Sequence, residues 1–362
     1  MSFEPLWALG LMSGTSLDGV DAALVRTDGE TVDETGPALT VAYDEGLRGR
    51  LRGVLGAGKP ESMIAELARE ITLVHAESIK FLLEENNLTS SDIGVIGFHG
   101  HTILHRPEEG RTRQIGDGGL LAELSGIDVV DDFRSADVAA GGEGAPLAPL
   151  YHAALSRGLE RPLAVLNIGG VANVTWVGAG DDLLAFDTGP GNALLDDWAL
   201  EQTGRPYDQD GALARQGRVD DRILAELLAN PFFARTPPKS LDRNDFDASL
   251  LCAMSPADGA ATLAAFTAHA VGRAASHFPA PARRWLVAGG GRRNPALMAV
   301  LRRVLGFNVE PVEAVGWNGD ALEAQAFGFL AVRALRGFHL SLPETTGAGR
   351  PVSGGTLHRR PG

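Results

Sequence analysis

Short apolar runs alternate along the chain with longer stretches in which apolar residues recur every three or four positions, predicting strands interleaved with helices. LWALGLM at 6–12 reads as a buried strand, followed by the turn SGTSLDG and a second strand, VDAALVRT. From Glu61 to Leu88, the residues Ile64, Leu67, Ile71, Val74 and Leu82 fall on one helical stripe. IGVIGFHG at 93–100 is strand-like; a loop follows, then the short helix LLAELSG and the strand IDVVDDF. Beyond a Gly/Pro-rich hinge candidate at 139–149 the pattern begins again. PLAVLNIGG at 162–170, VANVTWVG and LLAFDTGPG read as strands, and NALLDDWALEQTG as a helix ending at Gly204. Helices near 219–230 and 258–278, a strand at 283–291, and the helices NPALMAVLRRVLG and GDALEAQAFGFLAVRALRG complete the series. The tail from Pro343, rich in Gly, Pro and Arg, reads as a loose surface segment.

This alternation predicts α/β layering. A chain of 362 residues exceeds what one hydrophobic core usually organises, so two domains are expected. The reading places an N-terminal α/β domain at 1–140, joined by part of 330–362, and a C-terminal α/β domain at 141–330. Each half opens with a strand, a turn of Gly, Ser/Thr/Asn and Asp, and a returning strand, so two such turns are candidates to grip one phosphate chain.

Composition narrows the function. The formal net charge of −14 argues against nucleic-acid binding, which needs a basic face, but leaves room for a small anion held by backbone amides and a metal ion. No apolar run approaches the ~18 residues needed to span a bilayer. The N-terminal segment lacks the features of a signal peptide, and the single cysteine, Cys252, cannot form an internal disulfide. The expected location is cytoplasmic.

The turn from Ser13 to Gly19 has the parts of a phosphate hairpin: glycines, hydroxyls, and Asp18 as a water-mediated Mg²⁺ ligand. Its bland reading is a simple hairpin turn. No Walker pattern exists, since Gly58-Lys59 precedes Pro60. In Phe186-Asp187-Thr188-Gly189-Pro190-Gly191-Asn192 a carboxylate ends a strand and the chain turns into a helix. Asp187 is therefore either a general base at a ligand-binding sheet edge or a helix cap. Asn167-Ile168-Gly169-Gly170-Val171-Ala172-Asn173 is a second candidate clamp, and Gly289-Gly290-Gly291 before Asn294-Pro295 offers a flat surface for an adenine-ribose. His99, His101 and His105 suit a substrate-facing loop better than a metal site, and Arg134 is either a surface ion pair or a reader of a substrate carboxylate.

GLMSGTSLDGVDAALV, GFHGHTILHRP, DDFRSADVAAGGEGAPLAP, NIGGVANVT, FDTGPGNALLDDW, PPKSLDRNDF, GGGRRNPALM and GDALEAQAFGFLA follow one another as in anhydro-N-acetylmuramic acid kinases, from Leu9 to about Leu330. The resemblance implies a two-domain actin/hexokinase-like (ribonuclease H-like) ATPase fold with an interdomain cleft, ATP and Mg²⁺ as cofactors, and a homodimer. It also implies a reaction that opens 1,6-anhydro-N-acetylmuramic acid with water and phosphorylates it, in recycling of cell-wall sugars. Carried over, Asp187 is the general base. Gly14, Thr15, Ser16, Leu17, Asp18, Gly19, Val20 and Asp21 bind ATP, with Gly169, Gly170, Asn173, Gly289, Gly290, Gly291 and Asn294. His99, Arg134 and Asn192 face the sugar. The chain departs from the family at His101, where Gln is usual, and at Asp117-Gly118-Gly119. The alternatives are a kinase for another anhydrosugar such as levoglucosan, or a nucleotide-gated binding protein of the same fold; a hydrolase is disfavoured because no Gly-x-Ser-x-Gly elbow exists.

Overall fold

The computed structural model describes residues 3–14, 17–56, 58–180, 182–241, 246, 249–306 and 308–362. The chain runs β1 (Leu6–Ser13), β2 (Gly19–Thr27), β3 (Val32–Ala42), α1 (Glu45–Val54), α2 (Glu61–Glu85), β4 (Val95–Arg106), β5 (Arg111–Ile115), α3 (Gly118–Ser125), β6 (Val129–Asp131), α4 (Ser135–Ala139) and α5 (Pro149–Leu155). There follow β7 (Leu163–Ile168), β8 (Val171–Val177), β9 (Leu183–Pro190), α6 (Ala193–Thr203), α7 (Asp221–Leu227), α8 (Pro256–Ala274), β10 (Arg284–Ala288), α9 (Pro295–Leu305) and β11 (Val309–Pro311). Then come α10 (Leu322–Leu335), α11 (Pro343–Thr346) and β12 (Thr356–His358).

Two compact units result. One joins Met1–Arg157 to Asp320–Gly362; the other is Gly158–Gly319. In the first, the sheet order is β12-β6-β4-β1-β2-β3, with β5 added on β4. β1, β2 and β3 are antiparallel neighbours, while β4 and β6 lie parallel to β1. In the second, the order is β11-β10-β7-β8-β9, with β7, β8 and β9 antiparallel and β10 and β11 parallel to β7. The five-strand plan β3-β2-β1-β4-β6 thus repeats as β9-β8-β7-β10-β11, strand for strand and direction for direction. This is the duplicated ribonuclease H-like architecture of the actin/hexokinase class.

The central strand β1 is buried on both faces, which is why its sequence is continuously apolar. Leu9 and Leu11 point into a core with Ile71 and Ile79 of α2 and Leu121 of α3. On the other face α10 lies directly on the sheet. A Cβ at Gly10 would fall 1.6 Å from the Ala324 carbonyl oxygen, and one at Gly97 would fall 2.0 Å from that of Phe327, so only glycine admits this helix. In the second unit Phe186, Phe266, Trp198 and Leu301 join β7–β9 to α6, α8 and α9.

The unit boundaries fall later than 140 and earlier than 330, because α5 and α10 pack together within the first unit. Tyr151 donates to Gln325 Oε1 at 2.9 Å and its ring lies 5.7 Å from that of Phe329. Two local expectations also need correction. The segment after Gly100 is no loop: β4 continues to Arg106 because β5 pairs with it. The tail is not loose either, since β12 pairs with β6 and Thr345 and Thr346 are buried.

Candidate active site

In the first unit the apolar run of β1 stops at Ser13 and β2 starts at Gly19, so the candidate phosphate hairpin sits at a strand end. Thr15 and Ser16 lie outside the described residues. Leu17 takes a left-handed φ of 61° with its side chain buried, a strained conformation of the kind that persists where surroundings over-determine it. Those surroundings are visible. The Leu17 amide donates to the Gly14 carbonyl at 3.1 Å, and Arg48 Nε donates to the Leu17 carbonyl at 2.9 Å. The Tyr43 amide donates to the Asp18 carbonyl at 3.1 Å while its hydroxyl donates to Ser13 Oγ at 2.7 Å, so one residue staples both flanks of the turn. Ser13 Oγ, which accepts from Tyr43, also lies 2.9 Å from Nδ1 of His101. Burial pushes the Tyr43 phenol up to about 12.

Three residues of this hairpin also have structural partners. Gly19 is required by strand packing, since a Cβ there would meet the Val41 carbonyl oxygen at 2.1 Å. Val20 is fully buried in the core. The Asp18 carboxylate is paired with Arg48 Nη2 at 3.0 Å. Asp21 is more distinctive. Burial first, then the negative charges of Asp320 and Asp18, push its carboxyl up, against the donation of Thr40 Oγ1 at 2.6 Å. Concentrated carboxylate charge of this kind fits a hydrated Mg²⁺ that takes its remaining ligands from phosphates. Among the described residues no three His, Cys, Asp or Glu form a complete protein cage for a metal.

The same unit has a cavity of about 240 Å³ lined by Phe98 and His99 of β4, Arg113 and Gln114 of β5, and Asp131, Asp132 and Ser135. His99 lies on a strand, not a loop. Its Nδ1 donates to the Gly100 carbonyl and its Nε2 accepts from Arg134 Nε at 3.0 Å, so both nitrogens are engaged. Arg134 is not a surface ion pair: Nη1 donates to the Gly144 carbonyl at 2.7 Å, and nothing among the described residues takes Nη2. Burial lowers the Arg134 guanidinium to about 10, with Glu323 and Asp137 opposing that shift.

In the second unit, Asn167, Asn173 and Asp187 stand side by side across β7, β8 and β9. Leu241 N donates to Asp187 Oδ2 at 2.8 Å, and the Asp187 amide donates to the Lys239 carbonyl at 2.9 Å. A strap from the PPKSLDRNDF motif therefore lies along this residue. Asp187 does not cap α6. That helix instead receives the turn carbonyls: Asn192 N donates to Gly169 O at 2.7 Å, while Gly191 N and Ala193 N donate to Gly170 O. The amides of Asn192 and Ala193 are therefore already used, which narrows the anion site that the Gly-Pro-Gly spelling suggests.

Asn192 Nδ2 donates to the Ile168 carbonyl at 3.1 Å, tying α6 to β7. Asn294 caps α9 through Oδ1, accepting from Ala296 N and Leu297 N, so its side chain has a structural role. Of the three glycines, Gly289 (φ 71°) and Gly291 press on β7, where added Cβ atoms would meet Asn167 Oδ1 at 2.4 Å and Ile168 Cγ2 at 2.5 Å. Gly290 alone leaves comfortable space, its nearest neighbour being Asn192 Nδ2 at 3.6 Å.

Sequence reasoning missed the staple Tyr43, the pocket wall from β5, and the strap. Nothing in the spelling of PPKSLDRNDF reveals which strand the strap crosses.

The sequence profile described as "Anhydro-N-acetylmuramic acid kinase" matches residues 6–360. The anhydro-N-acetylmuramic acid kinase of Rhodospirillum rubrum is 59% identical over 354 residues, covering 97% of this chain and 94% of that one. That of Paramagnetospirillum magneticum is 60% identical, covering 97% and 99%. Among solved structures, a ROK family glucokinase from Streptomyces griseus in complex with glucose and AMPPNP aligns at TM-score 0.43 and 13% identity over 90% of this chain and 99% of that chain, a likeness too loose to bear on ligands. The full-length profile match and the two relatives show that the chain belongs to the anhydro-N-acetylmuramic acid kinase family.

Proposed function

We propose that this chain is an ATP-dependent sugar kinase converting 1,6-anhydro-N-acetylmuramic acid and water into N-acetylmuramic acid 6-phosphate, with ADP as the other product. The observation that carries this reading, within the family, is the setting of Asp187. Its carboxylate stands in a row of side-chain amides and receives a backbone N–H from Leu241.

Asp187 accepts a proton from water as the water oxygen bonds to the anomeric carbon. The C1–O6 bond breaks and its electron pair stays on O6. That oxygen then bonds to the γ-phosphorus, and the bond to the ADP oxygen breaks. A positioned base contributes roughly 10²–10⁴-fold in rate; orientation and charge neutralisation supply most of the remainder. Asn173, half-buried opposite Asp187, is placed to orient the attacking water.

The backbone from Gly14 to Asp21 receives phosphates, with Asp21 and Asp18 holding Mg²⁺ through water. Magnesium, when bound, neutralises phosphate charge. Gly169, Gly170 and Gly290 offer backbone to the nucleotide. Arg134 receives the lactyl carboxylate through Nη2, and the ring of His99 forms the cavity wall beside it. The enzyme works as a cytoplasmic homodimer in the recycling of cell-wall sugars.

The test is mass spectrometry of products made from 1,6-anhydro-N-acetylmuramic acid and ATP in ¹⁸O-labelled water. Label at the anomeric hydroxyl is expected. Phosphorylation without label would overturn the role given to Asp187.

A further inference from the structure

The second unit contains a buried cation that the reaction does not use. After the turn Pro231–Ala234 the chain crosses β9 as the strap, making two contacts to one residue, Asp187 N to Lys239 O and Leu241 N to Asp187 Oδ2. Between these two contacts the Lys239 side chain runs inward rather than out to water, and only 3% of the residue is exposed. Its Nζ donates to the Phe232 carbonyl at 3.1 Å and lies 4.6 Å from the centroid of the Phe232 ring and 5.9 Å from that of Phe186. Among the described residues no carboxylate pairs with it.

A buried ammonium with no counter-ion among the described residues is an expensive way to fill space, and an apolar side chain of similar volume would fill it without the desolvation penalty. What the ammonium adds is direction. It binds the carbonyl of the turn that leads into the strap and the ring face of Phe186, the β9 residue immediately before Asp187. Cation–π attraction strengthens when the cation is desolvated, as it is here.

We propose that Lys239 is a positioning residue for Asp187: its buried amine ties the strap to Phe186 and Phe232, and this tie keeps the Leu241 amide on Asp187 Oδ2. The carboxylate is then held in one rotamer, with that oxygen occupied by a fixed donor. A misplacement of the reacting group by about 1 Å is enough to cost ~10²-fold in rate. The proposal rests on the reading of Asp187 as the base.

The test compares Lys239→Met and Leu241→Pro with the wild-type enzyme. Leu241→Pro deletes the same amide without touching the cation, so it serves if Lys239→Met fails to fold. Measured are hydrogen exchange at the Leu241 amide, kcat, KM for ATP and the thermal midpoint. For Lys239→Met we expect an unchanged or higher midpoint, Leu241 exchange faster by ~10-fold or more, and KM for ATP within ~2-fold. In both variants kcat should fall by roughly 10–100-fold. Wild-type exchange at Leu241 in Lys239→Met, or a wild-type kcat in either variant, overturns the proposal. Asp187→Asn is assayed alongside. Should that variant retain full activity, the reading of Asp187 as base fails, whereas Leu241 exchange still reports whether Lys239 holds the strap.

Discussion

Arg134 donates its Nε–H to His99 Nε2 at 3.0 Å, which commits the imidazole to its neutral form. His99 Nδ1 already donates to the Gly100 carbonyl, so a second ring proton would have to face the guanidinium. Burial, and then Arg134, accordingly hold His99 well below its ordinary range. The contact also fixes the guanidinium plane on which the proposed lactyl recognition by Nη2 depends. Arg134→Lys retains the charge but loses the fork. We predict that KM for the muramic sugar rises ~10–100-fold, as loss of a charge-assisted hydrogen bond implies, while KM for ATP stays near wild type. An anhydrosugar without the lactyl acid should show no such rise. Initial-rate kinetics with both sugars decide it: an equal effect on the two would remove the lactyl assignment.

Asp187→Asn tests the base while sparing its surroundings. The amide oxygen can still accept from Leu241 N, so the strap contact survives the substitution. The expected fall in kcat is 10²–10⁴-fold, with the thermal midpoint little changed. Single-turnover kinetics, which separate chemistry from product release, give the cleanest measurement. A kcat within a few-fold of wild type would mean that the water is activated elsewhere.

Much of this arrangement was legible in the sequence where local chemistry dictates local structure. Gly204 ends α6 in the left-handed conformation, as a glycine after the last apolar turn suggests. Asp187 falls on a strand, as the short apolar run LLAF before it suggests. What the sequence hid is long-range. The spelling GGG looked like a ligand surface, yet two of those glycines answer to β7, a strand more than a hundred positions earlier. The helix signature after Asp187 is correctly placed, but the occupation of its Asn192 and Ala193 amides is unreadable without knowing that the Gly169 and Gly170 carbonyls meet them. The tail, rich in Gly, Pro and Arg, reads as a loose surface segment because its anchoring acid, Asp137, lies 204 positions before Ser341.

Acid should weaken the fold through its buried histidines. Burial lowers His75, His101 and His152 each from 6.5 to about 4. At pH 5 the unfolded chain binds protons at these residues that the folded chain refuses. Stability is therefore full above the unfolded value and lost as pH falls from about 6.5 toward 4. Each histidine adds a slope of about 1.4 kcal/mol per pH unit where only the unfolded form is charged. Urea midpoints at pH 7, 6 and 5 should decline accordingly. In His75→Leu the decline should be shallower by one histidine's share. A midpoint independent of pH across that interval would contradict the burial argument.

Asp137 is 1% exposed and draws together three segments of the first unit. Its Oδ2 accepts from Gly144 N at 2.7 Å; its Oδ1 accepts from Thr346 Oγ1 at 2.7 Å and from Ser341 Oγ. The Gly144 carbonyl in turn accepts from Arg134 Nη1, so the tail braces the proposed sugar-reading cation through one carboxylate and one residue, Gly144. Asp137→Ala strands three buried donors, and the loss of stability should be on the order of 3 kcal/mol. Asp137→Asn isolates the positional effect. Its amide oxygen can serve the two hydroxyls, but its NH₂ group opposes Gly144 N–H, so the Gly144 turn should shift while the tail stays docked. The predicted signature is a raised KM for the muramic sugar at nearly unchanged KM for ATP. Steady-state kinetics on Asp137→Asn, read beside its denaturation midpoint, separate the two effects: a sugar KM equal to wild type would confine Asp137 to holding the tail.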